Sequence, residues 1–102
     1  MIKTDILIIG AGPVGLFTVF EAGLLKLKCH LIDSLPFPGG QCSEIYPKKP
    51  IYDIPSHPEI LAGDLVDKLL DQIRPFNPTY TLGEKVLKMD KISENEFITI
   101  TN

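Results

Sequence analysis

Four apolar residues, Ile6-Leu7-Ile8-Ile9, run directly into Gly10-Ala11-Gly12-Pro13-Val14-Gly15, which sets three glycines at the spacing G-x-G-x-x-G. An apolar strand feeding such a turn constrains the chain strongly, because each glycine answers a different steric demand. Gly10 allows the strand to turn sharply, Gly12 lets the backbone approach a ligand closely, and Gly15 lets the following helix pack tightly on the sheet. Pro13 suits the first turn of that helix, where a missing N–H costs nothing. Leu16, Phe17, Val19, Phe20 and Leu24 then mark a mostly apolar helix, and Cys29, Leu31 and Ile32 begin a second strand that ends at Asp33. The β-α-β unit closes in about thirty residues, as parallel pairing through a crossover helix requires.

That arrangement is the fingerprint of a dinucleotide site. Uncapped N–H groups and the positive end of the helix dipole would face a pyrophosphate, and Asp33, 18 residues beyond Gly15, is placed to accept hydrogen bonds from ribose hydroxyls. An ordinary tight turn accounts for the glycines less well, given the strand and helix around them. A carboxylate at a strand end can also be simply solvated or cap a helix, and only the offset from the glycines argues otherwise.

Composition narrows the remaining classes. With 102 residues, 44% hydrophobic and 23% charged, the chain can form one modest core. A net charge of −3 leaves no electrostatic footprint for nucleic acid, and Lys26, Lys28, Lys48 and Lys49 are too scattered to make one. No apolar run is long enough for a membrane span and no signal-peptide pattern opens the chain, so a cytoplasmic protein is expected. Cys29 and Cys42, 13 residues apart, make neither a C-x-x-C redox pair nor a zinc set, and His30 and His57 add no ligand cluster. No metal is expected.

Beyond Asp33 the pattern changes. Residues Ser34 to Pro58 carry six prolines and the pair Gly39-Gly40, which predicts a rigid loop rather than a helix or central strand. Ile45, Tyr46, Ile51, Tyr52 and Ile54 within it predict that part of the loop packs on the domain, and long ordered loops are usually functional. From Glu59 to Phe76, Leu61, Leu65, Leu69 and Ile73 recur every four residues, with Val66 and Leu70 widening the stripe. This predicts an amphipathic helix whose apolar side lies on the sheet, stopped by Pro75 and Pro78. Thr79 to Leu82 predicts a further strand, and Lys85–Lys91 with Glu96–Thr101 predict a terminal hairpin around Ser93-Glu94-Asn95.

Three stretches together support a family resemblance. Gly-Ala-Gly-Pro-Val-Gly-Leu-Phe-Thr from Gly10, Ile-Asp-Ser-Leu-Pro-x-Pro-Gly-Gly-Gln ending at Gln41, and Tyr-Pro-Lys-Lys-x-Ile-Tyr-Asp-Ile ending at Ile54 resemble the thioredoxin-reductase-like (type 2) ferredoxin/flavodoxin–NADP reductases of bacteria. The resemblance implies an α/β fold: a Rossmann-like FAD-binding β-α-β unit with a parallel sheet, the proline-rich loop, a second helix and a β-hairpin. This would be part of a flavoprotein with two dinucleotide-binding domains. Residues 1–102 would be the first part of the FAD domain, with the NADPH domain outside this chain.

By the same resemblance, Gly10, Gly12, Pro13 and Gly15 would hold the FAD pyrophosphate and Asp33 the adenosine ribose. Gly39, Gly40 and Gln41 would pass close to the flavin end, Tyr46 would contact the flavin region, and the Val86 backbone would lie near the adenine. On residue chemistry alone, Gly39-Gly40 also reads as a turn, Tyr46 as a packed loop aromatic and Val86 as a core strand residue. Asp33 stands where the family commonly has glutamate, one methylene longer. No general acid, base or nucleophile is expected here, because the cofactor carries the electron chemistry. The implied cofactors are FAD and NADPH, the implied partner is ferredoxin or flavodoxin, and the implied assembly is a homodimer. Thioredoxin reductase proper remains an alternative, although its C-x-x-C pair lies in the NADPH domain. So does an FAD-binding module with no activity of its own; a plain NAD domain would leave the Gly-Gly-Gln loop without a use.

Overall fold

A computed structural model describes residues 1–40 and 46–102. The front of the chain forms β1 (Ile6–Ile9), α1 (Pro13–Leu24) and β2 (Cys29–Asp33). β1 and β2 pair in parallel, with Ile6 opposite Cys29 and Ile9 opposite Ile32. α1 ends in a left-handed residue, Lys26 at φ 62°, with the Leu27 N–H returning to the Ala22 carbonyl at 3.0 Å. This closes the helix as glycine more often does.

Further along lie β3 (Pro50–Ile51), β4 (Ile60–Leu61), α2 (Ala62–Ile73), β5 (Thr79–Leu82), β6 (Val86–Ser93) and β7 (Glu96–Thr101). β5 joins β2 in parallel, which gives a three-stranded sheet in the order β1-β2-β5. α1 and α2 enclose one core with this sheet. Leu16, Val19 and Ala22 of α1 meet Leu65, Val66, Leu69 and Ile73 of α2 and Cys29 and Leu31 of β2. Four of the five residues of β2 are buried, as expected for the strand flanked by two parallel neighbours.

Several boundaries differ from the sequence expectations. The amphipathic helix is shorter than Glu59 to Phe76, because the proline-rich segment binds its start. The Lys49 carbonyl accepts from Ala62 N–H at 2.9 Å and the Pro47 carbonyl from Gly63 N–H at 2.8 Å. Ile60 and Leu61 are thereby drawn into the two-residue pairing with Ile51 and Pro50, and Leu61 leaves the apolar stripe. At the other end Pro75 sits inside a 3-10 turn, Arg74–Phe76, and left-handed Asn77 closes it. The proline-rich segment also contains β3, an edge pairing of the kind proline tolerates, and a bridge between Ile54 and His57. Ile51 and Ile54 pack on the core as expected, whereas Tyr46 and Tyr52 stay exposed; Ile45 lies outside the described residues.

The terminal hairpin is longer in its first strand than Lys85–Lys91 and carries two irregularities, between Val86 and Lys88 and between Lys91 and Ser93. Phe97 and Ile100 of β7 are exposed. No helix among the described residues is long and apolar enough to cross a membrane.

Candidate functional site: the glycine loop and its neighbours

The turn after β1 is built as the three glycines require. Gly10 has φ +109°, a backbone region that side chains rarely adopt, and its N–H is held by the Ile32 carbonyl at 2.7 Å. At Gly15 a Cβ would collide with the Gly10 carbonyl oxygen, so only glycine lets α1 approach the turn this closely. Gly12 is different. Its φ of −76° and ψ of −176° are open to any residue, and a Cβ there would meet no atom of the described residues within 4 Å. Among the described residues nothing asks for glycine at this position.

Gly12 is also the N-cap of α1, and no side chain caps the helix. Pro13 occupies the first turn, with no acidic residue in that turn. Among the described residues no side chain caps the N–H groups of the first helical turn, which lie beside a glycine surface, and such a helix start suits an anionic oxygen. This arrangement fits the diphosphate of a dinucleotide.

Asp33 stands next to this turn. Its Oδ2 accepts from the Ala11 N–H at 2.7 Å and its Oδ1 from the Leu35 N–H at 2.9 Å. Each carboxylate oxygen retains acceptor capacity for a hydroxyl of a bound sugar. Ala11, which the sequence reading did not single out, is the pivot. It is fully buried, its N–H is held by Asp33, and its carbonyl accepts from the Gly39 N–H at 2.6 Å. Being the one side chain between Gly10 and Gly12, a methyl group small enough to be enclosed, was the available signal. The Asp33-Ser34-Leu35 turn, a carboxylate bonded to the N–H two residues on, was legible in the same way.

Gly39 and Gly40 have φ values of +115° and +58°, and a Cβ on Gly40 would lie 3.3 Å from the Gly12 Cα. They form a turn, and that turn is pressed against the glycine loop. Gln41 and Cys42 lie outside the described residues. Tyr46 is 53% exposed, with the Lys49 ammonium 5.5 Å from its ring centroid. It lines an open groove of about 470 Å³ with Lys49, Ile51, Tyr52 and Asp53. The hydrogen bonds of Pro47 and Lys49 tie this segment to the start of α2, not to the glycine loop. Val86 opens β6, and the segment before it runs along the end of β2, where Gly83 N–H donates to the Leu35 carbonyl (2.9 Å) and Glu84 N–H to the Asp33 carbonyl (3.3 Å). Val86 thus stands two residues beyond a direct link to Asp33.

His30 forms no ligand cluster, yet it is buried and fully bonded. Nδ1 pairs with the Thr79 hydroxyl at 2.6 Å and Nε2 with the Thr81 hydroxyl at 2.7 Å. Burial holds its pKa below 6.5. Burial, with a smaller contribution from Asp5, raises the pKa of the Cys29 thiol, which removes the thiolate that redox chemistry needs. Among the described residues, no group of three or more His, Cys, Asp or Glu could hold a metal.

A parallel sheet led by a strand, a glycine turn and a helix, with a carboxylate from the neighbouring strand bonded into that turn, defines a module of the Rossmann class. Among solved structures the fold matches thioredoxin reductase from Lactococcus lactis with a TM-score of 0.79, at 22% identity, over 97% of this chain and 31% of that one. By sequence the chain is similar, over its whole length, to ferredoxin–NADP reductases. It is 74% identical over 102 residues to ferredoxin–NADP reductase 2 of Christiangramia forsetii and 68% identical over the same length to ferredoxin–NADP reductase of Flavobacterium johnsoniae. The resemblance carried by the three motifs is therefore borne out. The chain spans 29% of the length of these curated relatives. No family model matches it.

Proposed function

We propose that the chain is the FAD-holding part of a flavin-dependent oxidoreductase that passes electrons from NADPH to ferredoxin. The observation that carries this reading is Gly12, an unstrained glycine with open space where a side chain would stand, set at the uncapped start of α1. The relatives' name supports the electron donor and acceptor. In this reading residues 1–102 form the first part of the FAD domain and NADPH is taken by a domain elsewhere in the full-length protein. Flavodoxin is the alternative acceptor, and the working form is a cytoplasmic homodimer.

Each site residue then has a physical task. Gly10 turns the chain so that β1 leads into the uncapped start of α1. Gly12 admits the pyrophosphate to backbone contact, Pro13 starts α1 without adding a donor that needs a partner, and Gly15 brings the helix end close to the sheet. Asp33 holds the loop through Ala11 and offers its remaining lone pairs to the ribose. The Val86 backbone serves the adenine, Gly40 and the amide of Gln41 serve the flavin end, and Tyr46 offers that end a flat face with a polar tip. FAD, when bound, supplies the chemistry that links a two-electron donor to a one-electron acceptor.

Titration of the full-length, flavin-stripped protein with FAD and with ADP tests this reading. Both are expected to bind, with ADP competing against FAD. Failure of both to bind, in protein shown to be folded by circular dichroism, would overturn it.

A further inference from the structure

His30 is buried, carries two polar ring nitrogens, and has no task in the site as described. Its partners both lie on β5. That strand is four residues long, Thr-Tyr-Thr-Leu, and among the described residues it lies at the sheet edge with β2 as its only partner. Its side chains alternate, with Tyr80 packing on the core that α1 and α2 form with the sheet, and Thr79 and Thr81 on the face of His30. A slip of one residue would invert that alternation and is excluded by burial. A slip of two keeps every side chain on its proper face, so the apolar pattern cannot forbid it.

The polar contacts do. In the observed register His30 lies opposite Thr79, with one ring nitrogen on Thr79 and the other on Thr81. Shifted so that His30 faces Thr81, the ring would reach Gly83, which has no side chain, and a buried nitrogen would lose its partner. The opposite shift would draw in Pro78 and Asn77, and Asn77 is already committed to the left-handed residue that closes the preceding turn. Only one register satisfies both nitrogens.

The register matters because Gly83 and Glu84, directly beyond β5, bond to the carbonyls of Leu35 and Asp33, at the end of the sheet where the glycine loop lies. A two-residue slip would move them by about 6.6 Å, at about 3.3 Å per residue of parallel strand. We infer that His30 is a positioning residue for the adenosine side of the cofactor site: by bridging Thr79 and Thr81 it sets the register of β5, and so places Gly83 and Glu84 against the Asp33 turn. This rests on the proposed cofactor reading only for its effect on ligand affinity; the effect on the Asp33 turn stands without it.

The test separates positioning from plain loss of a buried hydrogen bond. In the full-length protein, the triple variant His30→Leu, Thr79→Val, Thr81→Val removes every polar group of the bridge together, so no orphaned group remains. Expected is a melting temperature close to wild type, with amide hydrogen exchange at Gly83 and Glu84 faster by about tenfold and ADP affinity weaker by about tenfold, the scale of one lost specific contact. Wild-type exchange and affinity in a folded triple variant would overturn the inference. Should the triple variant not fold, Thr81→Val alone decides: faster exchange confined to Gly83 and Glu84 supports the register role, and unchanged exchange overturns it. If the wild-type protein binds no ADP, the cofactor reading falls, while the exchange comparison in the unliganded chain still judges His30.

Discussion

The Asp33 carboxylate holds the backbone N–H of Ala11 at 2.7 Å, across 22 residues of sequence. This bond, with the second one to Leu35, makes the acidic residue at the end of β2 part of the glycine turn as well as a candidate ribose ligand. Asp33→Asn would leave one carbonyl oxygen for two N–H donors and set an NH₂ group against the other. We expect ADP and FAD affinity to fall by about tenfold to a hundredfold, the range for one hydrogen bond to a charged group, measured by calorimetry. Unaltered affinity would show that the carboxylate serves neither loop nor ligand.

Gly12 and Gly15 are expected to respond oppositely to alanine. Gly15→Ala drives a Cβ into the Gly10 carbonyl and should lower stability by about 1–3 kcal/mol. Gly12→Ala meets no atom of the described residues and should leave the melting temperature nearly unchanged while flavin retention drops. Thermal melts beside flavin content after gel filtration distinguish the two.

Gly23 lies in the last turns of α1, where alanine would ordinarily gain about 1 kcal/mol from helix propensity. Here the Phe76 ring occupies the space that a Cβ would need, and Phe76 also meets Phe20 edge to face. Gly23→Ala is expected to destabilise, by about 1–3 kcal/mol in urea unfolding. A stabilised variant would mean that Phe76 gives way freely.

Lys26 holds a left-handed conformation at the end of α1, at the position helices commonly reserve for glycine. Lys26→Gly should stabilise by about 1 kcal/mol, since the strain of a side chain at positive φ disappears. A lower denaturation midpoint would contradict this.

His30 gives stability a defined pH dependence. Its pKa in the folded chain is depressed below 6.5 by burial, so in the window beneath 6.5 the unfolded chain binds more protons than the folded one. Stability from this group is complete above 6.5 and declines as the pH falls toward the folded-state value. Melting temperatures between pH 7.5 and 5 should show the decline, and His30→Gln should flatten it.

Much of this molecule was legible because its demands are local. Gly10 needs a positive φ, Gly15 a missing side chain, and the apolar residues of Ile6–Ile9 and of the strand around Leu31 pair as neighbouring parallel strands. The hidden features depend on partners remote in the sequence. The true start of α2 is set by Pro47 and Lys49 carbonyls, which no periodicity around Leu61 announces. His30 reads as an isolated ring until Thr79 and Thr81, 49 and 51 residues on, are brought beside it. Ala11 looks like filler between two glycines, although both faces of its peptide environment are held.

With its N–H fixed by Asp33 and its carbonyl by Gly39, Ala11 locks the glycine turn from within the chain. On the proposed reading this turn has little ordering entropy of its own to lose when a pyrophosphate arrives, so its share of the binding cost is paid during folding.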